Sequence, residues 1–267
     1  MVNGQLLPLN RGNEGGSWYD RIWAAFIFFT RLPLWRLHEP PKESYKSVVE
    51  FWPLTGWLTG GLMALTLWLC SMYFPYTVAV LFAIVVRLLI TGALHEDGLA
   101  DFMDGFGGGG SDRSRILAIM KDSHIGTYGV IGLILYHLLL FATLLSLSPT
   151  IAAFAIMAAT PYSKMVSAPL IIMMPYARSE EEAKTKMIYR QINWLAGVSL
   201  TVQGLLPMAA FLWYTHLPWG MIVSVPCIVM YFLYLFINNK IHGYTGDCCG
   251  AVCLLTELSI YIVLCAL

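Results

Sequence analysis

Seven stretches of roughly 20 mostly apolar residues run along this chain, at 52–72, 75–94, 126–148, 149–173, 194–214, 218–237 and 251–267. A helix of that length crosses about 30 Å of hydrocarbon. Within hydrocarbon a helix satisfies all of its own backbone polar groups, which an isolated strand or loop cannot do. The chain is therefore expected to be an all-α polytopic membrane protein with about seven transmembrane helices. Charge is scarce to match: 12% of the residues are Asp, Glu, Lys or Arg, about half the share in soluble domains.

The remaining charges set an orientation. The connections Phe74–Tyr76, Ser146–Thr150 and Tyr214–Trp219 contain no Lys, Arg, Asp or Glu. Arg87 and Lys164 fall inside spans, and the other Lys and Arg lie on the opposite side. Because short cytoplasmic loops are enriched in Lys and Arg, the N-terminus is placed inside and the C-terminus outside. Glu257 is the acid assigned to a span interior, where Arg87 or Lys164 could pair with it. The N-terminal segment lacks the basic-then-apolar order of a cleavable signal. Residues 18–36 are too short to span, and Trp18, Trp23 and Trp35 with interleaved arginines suggest an interfacial or re-entrant helix. Zero formal net charge argues against nucleic acid as a partner. The spacing of Cys248, Cys249 and Cys253 matches no common metal site. With no internal repeat and no long linker, residues 1–267 read as one membrane domain.

The most charged motif follows the second span directly. In "LHEDGLADFMDGFGGGG", Asp97, Asp101 and Asp104 are spaced four and three apart, so on a helix they occupy a stripe about 60° wide. Three carboxylates on one face repel unless a cation sits among them. Oxygen ligands favour a hard divalent ion, and Mg²⁺ often takes one or two carboxylates plus substrate phosphates. Gly107 to Gly110 follow no strand and read as a hinge. Beyond it, Ser111 or Asp112 suits a helix N-cap, and Arg113, Arg115, Lys121, Asp122 and His124 form a polar side. The basic residues there suit the phosphate of a substrate or lipid headgroups. The whole segment 95–125 is expected on the cytoplasmic face.

"TGALHEDGLADFMDGFGGG" and "IMKDSHIGTYG" together resemble the cobalamin synthases, the adenosylcobinamide-GDP ribazoletransferases. Their pattern is H-x-D-G-L-A-D-x-x-D-G followed by I-M-x-D-S-x-x-G-x-x-G. "FFTRLPL", "FWPLTGWLTG", "PYARSEE" and "GYTGDCCGAVCLLTEL" resemble further blocks of that family in the same order. The resemblance implies transfer of the adenosylcobinamide phosphate of adenosylcobinamide-GDP to α-ribazole or α-ribazole 5′-phosphate, with release of GMP. It also implies Mg²⁺, a lipid bilayer of the prokaryotic cytoplasmic membrane, and room for a homo-oligomer or an assembly with other cobalamin-pathway enzymes. A more distant likeness is to the CDP-alcohol phosphotransferases.

On that reading Asp97, Asp101 and Asp104 hold Mg²⁺ and a substrate hydroxyl attacks the pyrophosphate in line. Asp122, His95 and Asp104 are candidates for the base. Arg113, Arg115, Lys121 and Arg178 are candidates for phosphate, and Asp247 for substrate or metal, while the run Glu180 to Glu182 is expected to be solvated. The chain departs from the family pattern at Glu96, Ala118, His124, Lys164 and His242. Glu96, where Leu is common, is expected to add a metal ligand or to point to water. Two rival classes fit less well. A transporter would show related halves and midplane charges, whereas these charges gather at one face. A CDP-alcohol phosphotransferase would show D-G-x-x-A-R, and Asp101 stands where that Arg belongs.

Overall fold

The computed structural model describes residues 16–178, 189–190 and 192–267. The described residues fold into an all-α bundle with α1 Trp18–Phe29, α2 Trp52–Ser71, α3 Tyr76–Thr91, α4 Leu94–Gly108, α5 Arg113–Lys121 and α6 Thr127–Ser146. It continues with α7 Pro149–Ser167, the short α8 Leu170–Met173, α9 Trp194–Thr215, α10 Trp219–Ile241 and α11 Gly246–Ala266. Two 3₁₀ segments, Leu34–Arg36 and Lys42–Phe51, link α1 to α2. Six helical stretches are long and apolar enough to cross a membrane, or seven if α3 and α4 count as one bent span. The bundle is therefore multi-pass, and the sequence-expected spans all coincide with helices.

The centre belongs to α11 and α7. In their apolar windows 83% and 72% of residues are buried, against 17% for α10, which presents its side chains outward. Around this pair, α2 packs on α7 and α3, α4 on α11 and α6, and α9 on α7. Residues that a soluble protein would hide stand exposed along the rim, among them Leu89, Leu138 and Phe232. That pattern suits lipid contact, where an apolar exterior carries no penalty.

Three boundaries differ from the sequence expectation, each for a physical reason. The N-terminal helix stops at Phe29 rather than running to residue 36: Thr30 leaves the helix in extended conformation, and Pro33 follows too closely for another turn. The last helix starts at Gly246 instead of residue 251, with Thr245 capping it through a hydrogen bond from the Cys248 amide, 3.2 Å. The third difference matters most. α3 has 16 residues, about 24 Å at 1.5 Å per residue, and stops short of a full crossing. Gly92 (φ 63°) and Ala93 (φ 55°) both take the left-handed conformation, and the chain turns by 90° into α4. Left-handed backbone is ordinary for Gly92 and costs roughly 1 kcal/mol or more for Ala93.

The glycine run is no hinge in this fold. Gly107 and Gly108 continue α4, Gly109 is its C-cap, and Gly110 turns the chain with φ 66° into α5. Asp112 rather than Ser111 caps α5, accepting from the amides of Ser114 (2.8 Å) and Arg115 (3.4 Å). The Glu180 to Glu182 run lies outside the described residues.

Candidate active site

Two glycines set how closely α4 and α11 approach. A Cβ on Gly98 would stand 3.1 Å from Asp247 Cα, and one on Gly250 would stand 3.3 Å from the His95 carbonyl oxygen. The crossing is therefore backbone against backbone. It brings the first turn of α11, with Asp247, beside the first turns of α4, with His95 and Asp97.

A second junction adds a cation. Residues 175–177 pair with Tyr244 in an isolated parallel bridge: Ala177 N–H donates to the Tyr244 carbonyl (2.8 Å) and Tyr244 N–H to that of Pro175 (2.9 Å). The blocks "PYAR" and "GYTGD", more than sixty residues apart in sequence, meet here. Arg178 is buried and donates from one guanidinium nitrogen to the Leu117 carbonyl, 2.9 Å.

Asp97, Asp247, Arg178 and His95 line one cavity of about 150 Å³, together with Phe28, Phe29, Trp52, Tyr176, Tyr189 and Cys249. Its aromatic wall was not visible as a site in the sequence. Phe29, Trp52 and Tyr189 come from three segments that read as an entry helix, a span and a loop. His95 belongs to that wall. Its Nε2 accepts the Trp52 indole N–H at 3.3 Å, and its ring lies within 15° of parallel to those of Trp52 and Phe29. That donor occupies the basic nitrogen and places the ring proton on Nδ1, so His95 as general base gives way to a structural role in the wall.

Asp104 is separated from this cavity by its own hydrogen bonds. One carboxylate oxygen accepts from Gly126 N–H (2.7 Å), the other from Gly129 N–H (2.8 Å). These are the N-cap and third amides of α6, the two donors that a capping box satisfies with two side chains. One aspartate from another helix does both. Any Cβ at Gly126 or Gly129 would strike the carboxylate, which explains the G-x-x-G of the second motif.

The basic side is partly structural as well. Arg113 donates from Nε to the Ile241 carbonyl and from a terminal nitrogen to that of Ala177, both 2.7 Å. It therefore fastens α5 to the end of α10 and to the Arg178 loop. Arg115 and Lys121 are exposed and outside the cavity wall. Asp122 is also exposed, and its Oδ1 lies 2.7 Å from His124 Nδ1. That hydrogen bond holds the Asp122 carboxyl below the usual carboxylate range and raises His124 above its ordinary value.

Glu96 neither faces water nor joins a metal set. It is buried, with one oxygen 3.5 Å from Arg87 Nε. Arg87 also pairs with Glu257 at 3.0 Å, so the partner of Glu257 is Arg87 and not Lys164. Thr160 (2.9 Å) and Tyr261 (2.8 Å) donate hydroxyls to the same Glu257 oxygen. Lys164 is buried beside this network, in the wall of a small gap shared with Arg87 and His95.

Among the described residues no three His, Cys, Asp or Glu side chains group tightly enough to hold a metal ion by themselves. The three-aspartate site expected from the helical stripe is thus not assembled, because Asp104 is committed to the α6 amides. Asp97 is exposed on the cavity wall, Asp101 follows one turn on, and Asp247 lies across the crossing, all three carrying hard carboxylate oxygens. That set fits Mg²⁺, which is commonly bound through one or two carboxylates completed by substrate phosphates and water.

Comparison with known proteins agrees with the motif order. The family model for cobalamin-5-phosphate synthase matches residues 21–265. The chain is 35% identical over 260 residues to the adenosylcobinamide-GDP ribazoletransferase of Shewanella baltica, covering 94% of this chain and 97% of that protein. The proteins of the same name from Leptospira interrogans (32% over 252 residues, 91% and 94% covered) and Shewanella frigidimarina (36% over 252 residues, 92% and 94% covered) are similar too. No solved structure matches. With nearly its whole length matched and the motif residues in place, the chain belongs to the cobalamin-5-phosphate synthase family.

Proposed function

We propose that this protein joins the two halves of the cobalamin nucleotide loop: adenosylcobinamide-GDP and α-ribazole, or α-ribazole 5′-phosphate, give adenosylcobalamin, or its 5′-phosphate, and GMP. The observation that carries the reading is the meeting of Asp97, Asp247 and Arg178 in one cavity at the end of the bundle. Phosphoryl transfer asks for charge neutralisation and positioning more than for covalent help; the guanidinium supplies both directly, and the carboxylates would do so by holding a divalent cation.

In this mechanism Asp97 and Asp101 would hold Mg²⁺, which would supply charge neutralisation for the phosphoryl oxygens and the departing GMP. Arg178 orients a phosphate by charge-assisted hydrogen bonds; its anchor on the Leu117 carbonyl limits its freedom. Asp247 accepts the proton of the ribazole hydroxyl as its oxygen attacks the phosphorus that stays with the cobinamide. A P–O bond forms there as the P–O bond to GMP breaks. Asp104, Arg113 and His95 keep the surrounding segments in register, while exposed Arg115 and Lys121 meet substrate phosphate or lipid headgroups at the rim. We place this end of the bundle on the cytoplasmic side of a prokaryotic inner membrane, following the Lys and Arg distribution.

The test is turnover by purified, liposome-embedded protein supplied with adenosylcobinamide-GDP and α-ribazole 5′-phosphate, with and without Mg²⁺. Mg²⁺-dependent GMP release with formation of the cobalamin phosphate is expected. Folded protein that forms no product would overturn the reading, and turnover unaffected by chelation would remove the metal from it.

A further inference from the structure

The lining of the cavity that contains Asp97 and Asp247 is of two chemical kinds. One part is charged. The other is a wall of near-parallel rings: Phe29 and Trp52 lie 5.5 Å apart between centroids, Trp52 and His95 5.8 Å, and Phe29 and His95 6.1 Å, with interplanar angles of 15°, 5° and 13°. Three rings from α1, α2 and α4 thus share one plane orientation, which the Trp52–His95 hydrogen bond helps to fix. Tyr176 and Tyr189 complete the enclosure. A wall of this kind favours a flat aromatic guest stacked parallel to it.

The size and polarity of the cavity narrow the guest further. At about 150 Å³ it is smaller than the roughly 300–1,000 Å³ that encloses a drug-sized ligand, so it takes one portion of a substrate and no corrin ring. The two substrates offer two flat portions, a guanine and a benzimidazole. Guanine presents several donors and acceptors along its edge, and each left unmet in an apolar wall costs about 1–3 kcal/mol. Among the described residues no Asn or Gln lines the cavity, the Trp52 indole N–H is already used by His95, and the carboxylates sit where the chemistry needs them. A benzimidazole joined to ribose through one nitrogen has a single polar ring atom left and an otherwise apolar rim.

We propose that this cavity is the acceptor subsite, in which the benzimidazole base of α-ribazole or its 5′-phosphate stacks on the Phe29–Trp52–His95 wall. Its ribose then points a hydroxyl toward Asp247 and Asp97. The adenosylcobinamide-GDP approaches from the membrane side and leaves its guanine outside this pocket. The assignment rests on the reaction proposed above.

Kinetics with each substrate varied in turn test it, using Phe29→Leu and Tyr189→Leu. The expected result is a KM for α-ribazole 5′-phosphate raised about tenfold, the size of one lost stacking contact, with the KM for adenosylcobinamide-GDP within about twofold of wild type. A raised KM for adenosylcobinamide-GDP with the acceptor KM unchanged would overturn it, because the pocket would then hold guanine. If Phe29→Leu fails to fold, Tyr189→Leu decides. Should wild-type protein show no turnover, the reaction itself fails, and direct binding of α-ribazole 5′-phosphate without donor still judges the pocket. Binding weakened about tenfold in the variants keeps the proposal; no binding, or binding equal in wild type and variants, ends it.

Discussion

Glu96 and Asp97 are neighbours in sequence, yet they belong to two different electrostatic regions. Glu96 turns into the bundle and shares Arg87 with Glu257, deep among helices. Asp97 turns to the cavity, and among the described residues it forms no ion pair. A carboxylate buried in low dielectric must be met by a protein cation or it is strongly unfavourable. A carboxylate on an open wall is hydrated and remains available to an external ion. The buried region has its counter-charge built into the fold, whereas in the proposed function the open one meets its cation only when a ligand binds.

Substitutions can break that contrast, beginning with the largest effect. Arg87→Met strips the cation from two buried acids and is expected to destabilise the protein by about 3–5 kcal/mol, read as a lower thermal midpoint in detergent and poor accumulation in the membrane. Asp97→Asn is expected to do the reverse: turnover falls at least about 100-fold with loss of an oxygen from the proposed Mg²⁺ site, while stability stays within roughly 0.5 kcal/mol. If the two variants exchanged phenotypes, the division between the regions would collapse.

Asp104 is the intermediate case. Asn can accept only one of the two α6 amides, so Asp104→Asn is expected to cost about 1–2 kcal/mol and to leave the Mg²⁺ concentration for half-activation unchanged. A shifted Mg²⁺ requirement would return Asp104 to the metal site. The smallest effect belongs to Asp122. Its pairing with His124 persists between the lowered value of the acid and the raised value of the base. It is lost as pH rises through the His124 value and as pH falls through that of Asp122. In Asp122→Asn the His124 titration, followed by NMR, is expected to fall toward about 6.5 with turnover within about twofold of wild type. A large loss of turnover would make Asp122 the base.

Much of this was legible in the sequence. Apolar length placed a helix at each of the seven expected stretches, and charge balance pointed Glu257 toward Arg87 or Lys164 before any contact was known. What stayed hidden depended on partners distant in the chain. Nothing local to Asp104 says that its oxygens cap a helix beginning 23 residues later at Thr127, and helical periodicity alone placed it with Asp97 and Asp101. The bend after α3 was masked because one of its two left-handed residues is Ala93, a residue type that advertises helix. His242 shows the converse. It stands where the family pattern has glycine, and its φ of 50° at the α10 C-cap explains why glycine suits that place.

The contact between Gly98 and Asp247 acts as a gauge block. Because main chain rests on main chain, the gap between the two carboxylate-bearing segments is fixed by the thickness of a peptide and not by any rotamer. Drift in the ring wall can therefore retune which acceptor is admitted without detuning the span across which the phosphoryl group must travel. Selectivity and reaction distance are separately adjustable in such a design, and a relative could change its acceptor base while keeping the same transfer geometry.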